Sequence, residues 1–263
     1  MKFLSAILLF LPLMAFSPSG NIPSHTINAE AEKMTTDNIG NVYLIKAESI
    51  FKYDASGRLQ KTYSNKNYGN ITSADATNAL RIVLYYKDFN RVVFLDNMMS
   101  QIGDPLTLET IGFPLATLTA SSYDNGLWIY DPQNFELVRL NRNLQVEHRS
   151  GNLSQVLGIE LQPNFLLEKD NRLFLNNPST GILIFDVFGT YSKTIPVTNL
   201  KALQVQDNSI VFYQDGKMQA ENILINDHIN YTKPVGDSLT KDMRMEKNAV
   251  FVLKKREVEI YDK

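Results

Sequence analysis

Cysteine is missing from all 263 residues. That excludes a disulfide, a thiolate metal site, an iron–sulfur cluster, a thiol nucleophile and the cysteine that carries the lipid of a lipoprotein. Histidine is scarce at three residues, and tryptophan occurs once. Three histidines are too few for a histidine-rich metal centre, and one tryptophan cannot supply a motif that repeats tryptophan. Basic residues are not in excess: Lys and Arg number 26 against 28 Asp and Glu, for a formal charge of −2. A nucleic-acid binder needs a basic footprint to neutralise phosphates, so that class is excluded. No Gly-x-Ser-x-Gly elbow, His-Glu-x-x-His pair, calcium loop or phosphate-cradling glycine loop occurs. What is abundant is apolar: 44% of residues are hydrophobic and 21% charged, which excludes a disordered chain.

Long apolar runs are confined to the beginning. Lys2 precedes a run from Phe3 to Phe16 broken only by Ser5 and Pro12, and small residues follow at Ala15, Ser17 and Ser19. This order predicts a signal peptide over Met1–Ser19. The run holds about 14 apolar residues, short of the ~20 that span a bilayer. The expectation is an exported, periplasmic chain without direct membrane insertion, folded as one domain over residues 20–263.

A turn-then-strand signature recurs along that domain. It reads Gly40-Asn41-Val42-Tyr43, Asn125-Gly126-Leu127-Trp128, Asn171-Arg172-Leu173-Phe174, Asn208-Ser209-Ile210-Val211 and Asn248-Ala249-Val250-Phe251, with a weaker copy at Asn78-Ala79-Leu80. The spacing averages roughly 42 residues, the period of a propeller blade. Asn and Gly at each start tolerate the positive φ of a hairpin turn. A second signature follows each first one, an apolar strand closing on an acid or amide: Asp54, Asp96, Asn141, Asp186 and Asp262, with either Asn222 or Asn226 in the fifth copy. These closing residues suit turn initiation better than metal ligation. The strand-like runs alternate or are short and β-branched, which excludes a helical solenoid of similar period.

Six such units predict an all-β, six-bladed β-propeller. The last unit ends directly after its third strand, and Ile22–Asn28 is a spare strand near the beginning. Pairing the two completes blade six and removes an open edge, so the ring is expected to close on its own N-terminal strand.

In such a ring the loops between blades share a face with the loops between second and third strands. Function favours loops on a rigid scaffold. Tyr68, Phe89, Phe113, Phe135 and Tyr231 fall in these loops and are the candidate partner-binding residues, since exposed aromatics anchor interfaces. His25, His148 and His228 fall on rim strands of different blades and are not expected to meet on one ion. Asp75, Glu160 and Asp242 are the acids best placed on inner strands, where they could ring the axis. Ser122-Tyr123-Asp124-Asn125-Gly126-Leu127-Trp128 is similar to a sialidase Asp-box, but it is one residue short, lacks the threonine and occurs once. It reads as a hairpin with Trp128 in the core. No catalytic residue, metal or cofactor is nominated.

The stretch from Gly40 to Gly57, with strand, strand, Tyr-Asp and glycine in order, resembles the NHL-like bacterial six-bladed propellers over about residues 22–263. Among exported members of that group the resemblance implies two roles. One is a non-enzymatic docking subunit of an envelope machine, similar to the propeller of the barrel-assembly machine or the plug of the type 9 secretion translocon. The absent lipobox cysteine fits the soluble plug-like case better. The other is a metal-dependent lactonase, in which Asp75, Glu160 and Asp242 would hold a divalent ion. The expected partner is therefore an outer-membrane protein complex in the first case and a small-molecule substrate in the second.

Overall fold

The computed structural model describes residues 22–225, 227–231 and 236–263. The expected leader and Asn226 lie outside them. The described residues form six four-stranded sheets. Strand β1 (His25–Ile27) comes first among the described residues. Blade one is β2 (Lys33–Thr36), β3 (Val42–Lys46), β4 (Ser49–Tyr53) and β5 (Leu59–Ser64). Blade two is β6 (Ser73–Asp75), β7 (Ile82–Tyr86), β8 (Arg91–Leu95) and the short β9 (Leu106–Thr107). Blade three is β10 (Leu118–Ser121), β11 (Leu127–Asp131), β12 (Glu136–Leu140) and β13 (Val146–Arg149). Blade four is β14 (Phe165–Lys169), β15 (Arg172–Asn177), β16 (Gly181–Asp186) and β17 (Tyr191–Ile195). Blade five is β18 (Gln204–Gln206), β19 (Ser209–Gln214), β20 (Lys217–Asn222) and β21 (His228–Asn230). Blade six holds β22 (Asp242–Met245), β23 (Ala249–Leu253) and β24 (Val258–Asp262), and β1 supplies its fourth strand.

The ring closes as the sequence predicts. Ile27 pairs with Val258 and His25 with Ile260 in antiparallel register. Ser24 N–H donates to the Ile260 carbonyl at 2.8 Å across most of the chain. The edge that β24 would otherwise present is thus covered.

Period-two alternation explains how the blades stack. On β3, Val42 and Leu44 face blade six while Tyr43 and Ile45 face blade two. On β11, Leu127 and Ile129 face blade two while Trp128 and Tyr130 face blade four. On β23, Val250 and Val252 face blade five while Ala249, Phe251 and Leu253 face blade one. Central strands are therefore apolar on both sides, as strands buried between two sheets must be. Outer strands such as β5 are mostly exposed and polar.

Polar groups fix the corners. In blades one to four the closing acid or amide accepts two backbone N–H bonds within its turn: Asp54 from Ser56 and Arg58, Asp96 from Met98 and Ser100, Asn141 from Asn143 and Gln145, Asp186 from Phe188 and Thr190. In blade five this role falls to Asn222, which accepts from Leu224 and Ile225. Between blades three and four, buried Glu168 accepts from Trp128 Nε1 at 2.6 Å, Ser122 Oγ at 2.7 Å and Tyr123 N at 2.8 Å. The Asp-box-like segment is thus the hairpin that docks this staple. Its Gly126 is required, because a Cβ there would lie 2.2 Å from the Leu140 carbonyl oxygen.

Candidate functional site

The innermost strands β2, β6, β10, β14, β18 and β22 surround an axial channel of about 820 Å³. Alternation again sets its chemistry. On β22, Met243 and Met245 enter the core between blades five and six, while Asp242 and Arg244 border the channel. Gln204 and Gln206 of β18 and Asp75 of β6 border it as well. At one end stand Lys33, Lys201 and Lys241, each at or just before the start of an inner strand. They occupy consecutive blades: five, six and one.

A hydrogen-bond network joins blades five, six and one at depth. Gln204 Oε1 accepts from Met245 N at 2.7 Å, and Gln204 Nε2 donates to Glu246 Oε1 at 3.0 Å. Glu246 Oε1 also accepts from the Thr36 hydroxyl. Burial raises the Glu246 carboxyl above its ordinary range, against these donors and Arg244. Burial likewise raises Asp242, opposed by the nearby charge of Arg244. Burial pulls the Arg244 guanidinium below its ordinary range. The channel wall is therefore polar and of mixed sign.

The three carboxylates expected to ring the axis do not do so together. Glu160 lies in the connection between blades three and four, exposed, before β14 begins. Asp75 ends its strand, and Asp242 begins its own, so they stand toward opposite ends of the channel. Asp75 is also engaged by backbone, accepting from Thr77 N and Ser121 N. Among the described residues no three His, Cys, Asp or Glu side chains gather in a group able to hold a metal. His25, His148 and His228 lie on β1, β13 and β21, all outermost strands.

The five candidate aromatics have unequal surroundings. Phe89 is 53% exposed and Phe135 36% exposed. Tyr68 is half-buried, edge-on to Tyr86 with 5.6 Å between ring centroids. Tyr231 is half-buried against the core between blades five and six. Phe113 corrects the expectation: it is only 2% exposed, in the core between blades two and three and beneath the Arg149 guanidinium. Its loop doubles back after a short turn over Leu108–Ile111, which folds the ring inward. Phe113 therefore offers no contact to a partner.

The same face exposes three apolar side chains that aromatic counting passes over: Leu115, Val156 and Leu239. Val156 sits on the one-turn helix α1 (Leu153–Leu157). Arg244 is a further channel residue outside the sequence-derived candidates. Its signal was present in Asp242-Met243-Arg244-Met245-Glu246, where charge alternates with methionine.

No protein-family model and no curated protein matches the sequence. Solved structures match the fold. A chain of the mitotic checkpoint complex aligns over 100% of this chain and 98% of its own, with 9% identity and a TM-score of 0.64. A streptogramin B lyase aligns over 92% and 95%, with 14% identity and a TM-score of 0.58. The Neurospora crassa Pan2 WD40 domain aligns over 86% and 76%, with 11% identity and a TM-score of 0.55. At such identities the likeness is one of fold, and the fold hosts a lyase as well as a WD40 domain.

Proposed function

We propose that this chain is an exported, non-enzymatic binding propeller that docks an outer-membrane protein complex from the periplasmic side, as an accessory or plug subunit of secretion or assembly. The NHL-like repeat and the leader-like first residues support the compartment and the class of machine. One structural observation supports docking above the others: Phe135. It occupies the turn between β11 and β12 with a φ of +53°. Left-handed backbone costs a residue with a Cβ about 1–2 kcal/mol, which is why Asn and Gly favour it. Met99 and Leu144 also take positive φ, but their side chains pack into apolar clusters. Phe135 belongs to no such cluster and keeps its ring at the surface. Strain held at an exposed aromatic is a mark of binding surfaces.

Phe89, Leu115, Phe135 and Val156 are exposed on successive loops of blades two to four, an apolar sector of the face that carries the interblade loops. A partner that buries this sector gains area centred on rigid aromatic anchors.

The test is affinity isolation of the tagged mature chain from its own envelope, beside Phe135→Asn and the double variant Phe89→Ser with Phe135→Ser. Phe135→Asn should be more stable by about 1 kcal/mol, because Asn accepts the left-handed backbone. Both variants should lose the co-purifying outer-membrane component. A wild-type chain that brings down no envelope protein, or a double variant that brings down the same set, overturns the reading.

A further inference from the structure

Arg244 is an unusual residue to find at the heart of the ring. It is 9% exposed and borders the axial channel. Among the described residues its guanidinium makes one hydrogen bond, from Nη1 to the Leu203 carbonyl at 3.4 Å, and Nε is buried with no partner. The neighbouring acids are engaged elsewhere. Asp242 accepts from the Met243 N–H, Asp75 from Thr77 and Ser121, and Glu246 from Thr36 and Gln204. None forms an ion pair with Arg244.

Asp242, Glu246 and Asp75 act on Arg244 through space, but with no carboxylate in direct contact its buried charge stays costly, and a carboxylate bonded to the guanidinium relieves that cost. A guanidinium presents planar, forked donors that match a carboxylate in bidentate geometry. The space fits such a ligand: about 820 Å³, within the ~300–1,000 Å³ of small-molecule sites. The approach fits too. Lys33, Lys201 and Lys241 stand at one mouth, on blades one, five and six, the last of which carries Arg244. Lys33 Nζ and Lys241 Nζ each donate to a backbone carbonyl of the next blade, of Thr72 and Ala31, which fixes their charges at the rim.

We propose that the axial channel binds a carboxylate-bearing molecule, with Arg244 holding the carboxylate and Lys33, Lys201 and Lys241 drawing it in from the lysine mouth. This site is separate from the apolar sector and does not depend on it. The carboxylate is either that of a free organic acid or that of a peptide C-terminus, and both present the same oxygens to Arg244.

Titration calorimetry on the mature chain separates these sources with three probes: succinate, an acetylated tetra-alanine with a free C-terminus, and the same peptide amidated. At least one carboxylate probe should bind, and the amidated peptide should not. Succinate alone identifies a free acid, and the free-ended peptide alone identifies a chain end. Arg244→Met removes the guanidinium while filling its volume. It should lower affinity at least tenfold, or ~1.4 kcal/mol. It should also melt no lower than the parent, since an apolar replacement relieves an unpaired buried charge. Lys201→Gln, an exposed change that cannot disturb the core, should weaken binding about threefold and reduce its salt dependence. It carries the test if Arg244→Met does not fold. Failure of both carboxylates to bind at millimolar concentration, equal binding of the amidated peptide, or unchanged affinity in the variant that folds would each overturn the proposal.

Discussion

Side chains that recur once per blade do so because one local problem recurs. In blades one to five the chain must reverse direction after the third strand, and an acid or amide that accepts N–H groups two to four residues on solves it. Asp54 shows the electrostatic consequence. Burial would raise its carboxyl, but bonds from the Arg58 N–H, the Ser56 hydroxyl and the Arg58 side chain hold it down to about 2, from an ordinary 3.8. A depressed carboxylate favours the folded state above its unfolded value, and that contribution is lost as pH falls through the folded one. Asp54→Asn keeps the acceptor oxygen and removes the titration. Its melting temperature should therefore fall less than that of the parent on acidification from neutrality to about pH 2. Identical slopes would show that Asp54 is not held as described. Glu168 is the harsher case, because its acceptors face the buried Trp128 indole N–H and Ser122 hydroxyl. Glu168→Ala should cost about 3 kcal/mol in urea unfolding, and Glu168→Gln roughly a third of that, since the amide retains one acceptor. A cost for Glu168→Ala below ~1 kcal/mol would mean that water replaces the carboxylate.

Strands differ in how plainly the sequence declares them. The second and third strands of each blade lie between neighbouring sheets, so Ile82-Val83-Leu84-Tyr85-Tyr86 or Ile182-Leu183-Ile184-Phe185 must be apolar on both faces. Their turns must start on Asn, Asp or Gly. Those two constraints make blade number, order and closure readable. Inner strands are harder to see. β6 and β18 are three residues long, follow loops of several residues, and mix small polar side chains with apolar ones. The sequence reading puts Glu160 on such a strand, yet β14 starts only at Phe165. Leu161 is buried from within the loop instead. Phe113 failed for a related reason. A loop long enough to turn back can bury its own aromatic, and linear position carries no sign of that. The channel was invisible for a third reason: Arg244 is defined by what six separate strands place around it.

Ring closure is a property of the whole molecule, and it changes how damage spreads. In an open repeat array each unit leans on two neighbours, and loss at one end leaves the other end standing. Here β1 joins residues near the two ends of the described chain, with Ile27 buried at the junction of blades six and one. Trp128 sits on the other side of the ring, fully buried between blades three and four, and is the sole tryptophan. It is therefore a reporter far from the closure. Ile27→Asp places an unpaired charge in an apolar cluster and uncovers the edge of β24, at a cost of about 3 kcal/mol or more. If the ring unfolds as one cooperative body, the urea midpoint read by Trp128 fluorescence should fall together with the midpoint read by far-ultraviolet circular dichroism. Both should fall by the same amount. A fluorescence midpoint that stays at the parent value while the dichroism splits into two steps would show blades three and four standing without the latch, and the ring would then be an array that merely meets its own end.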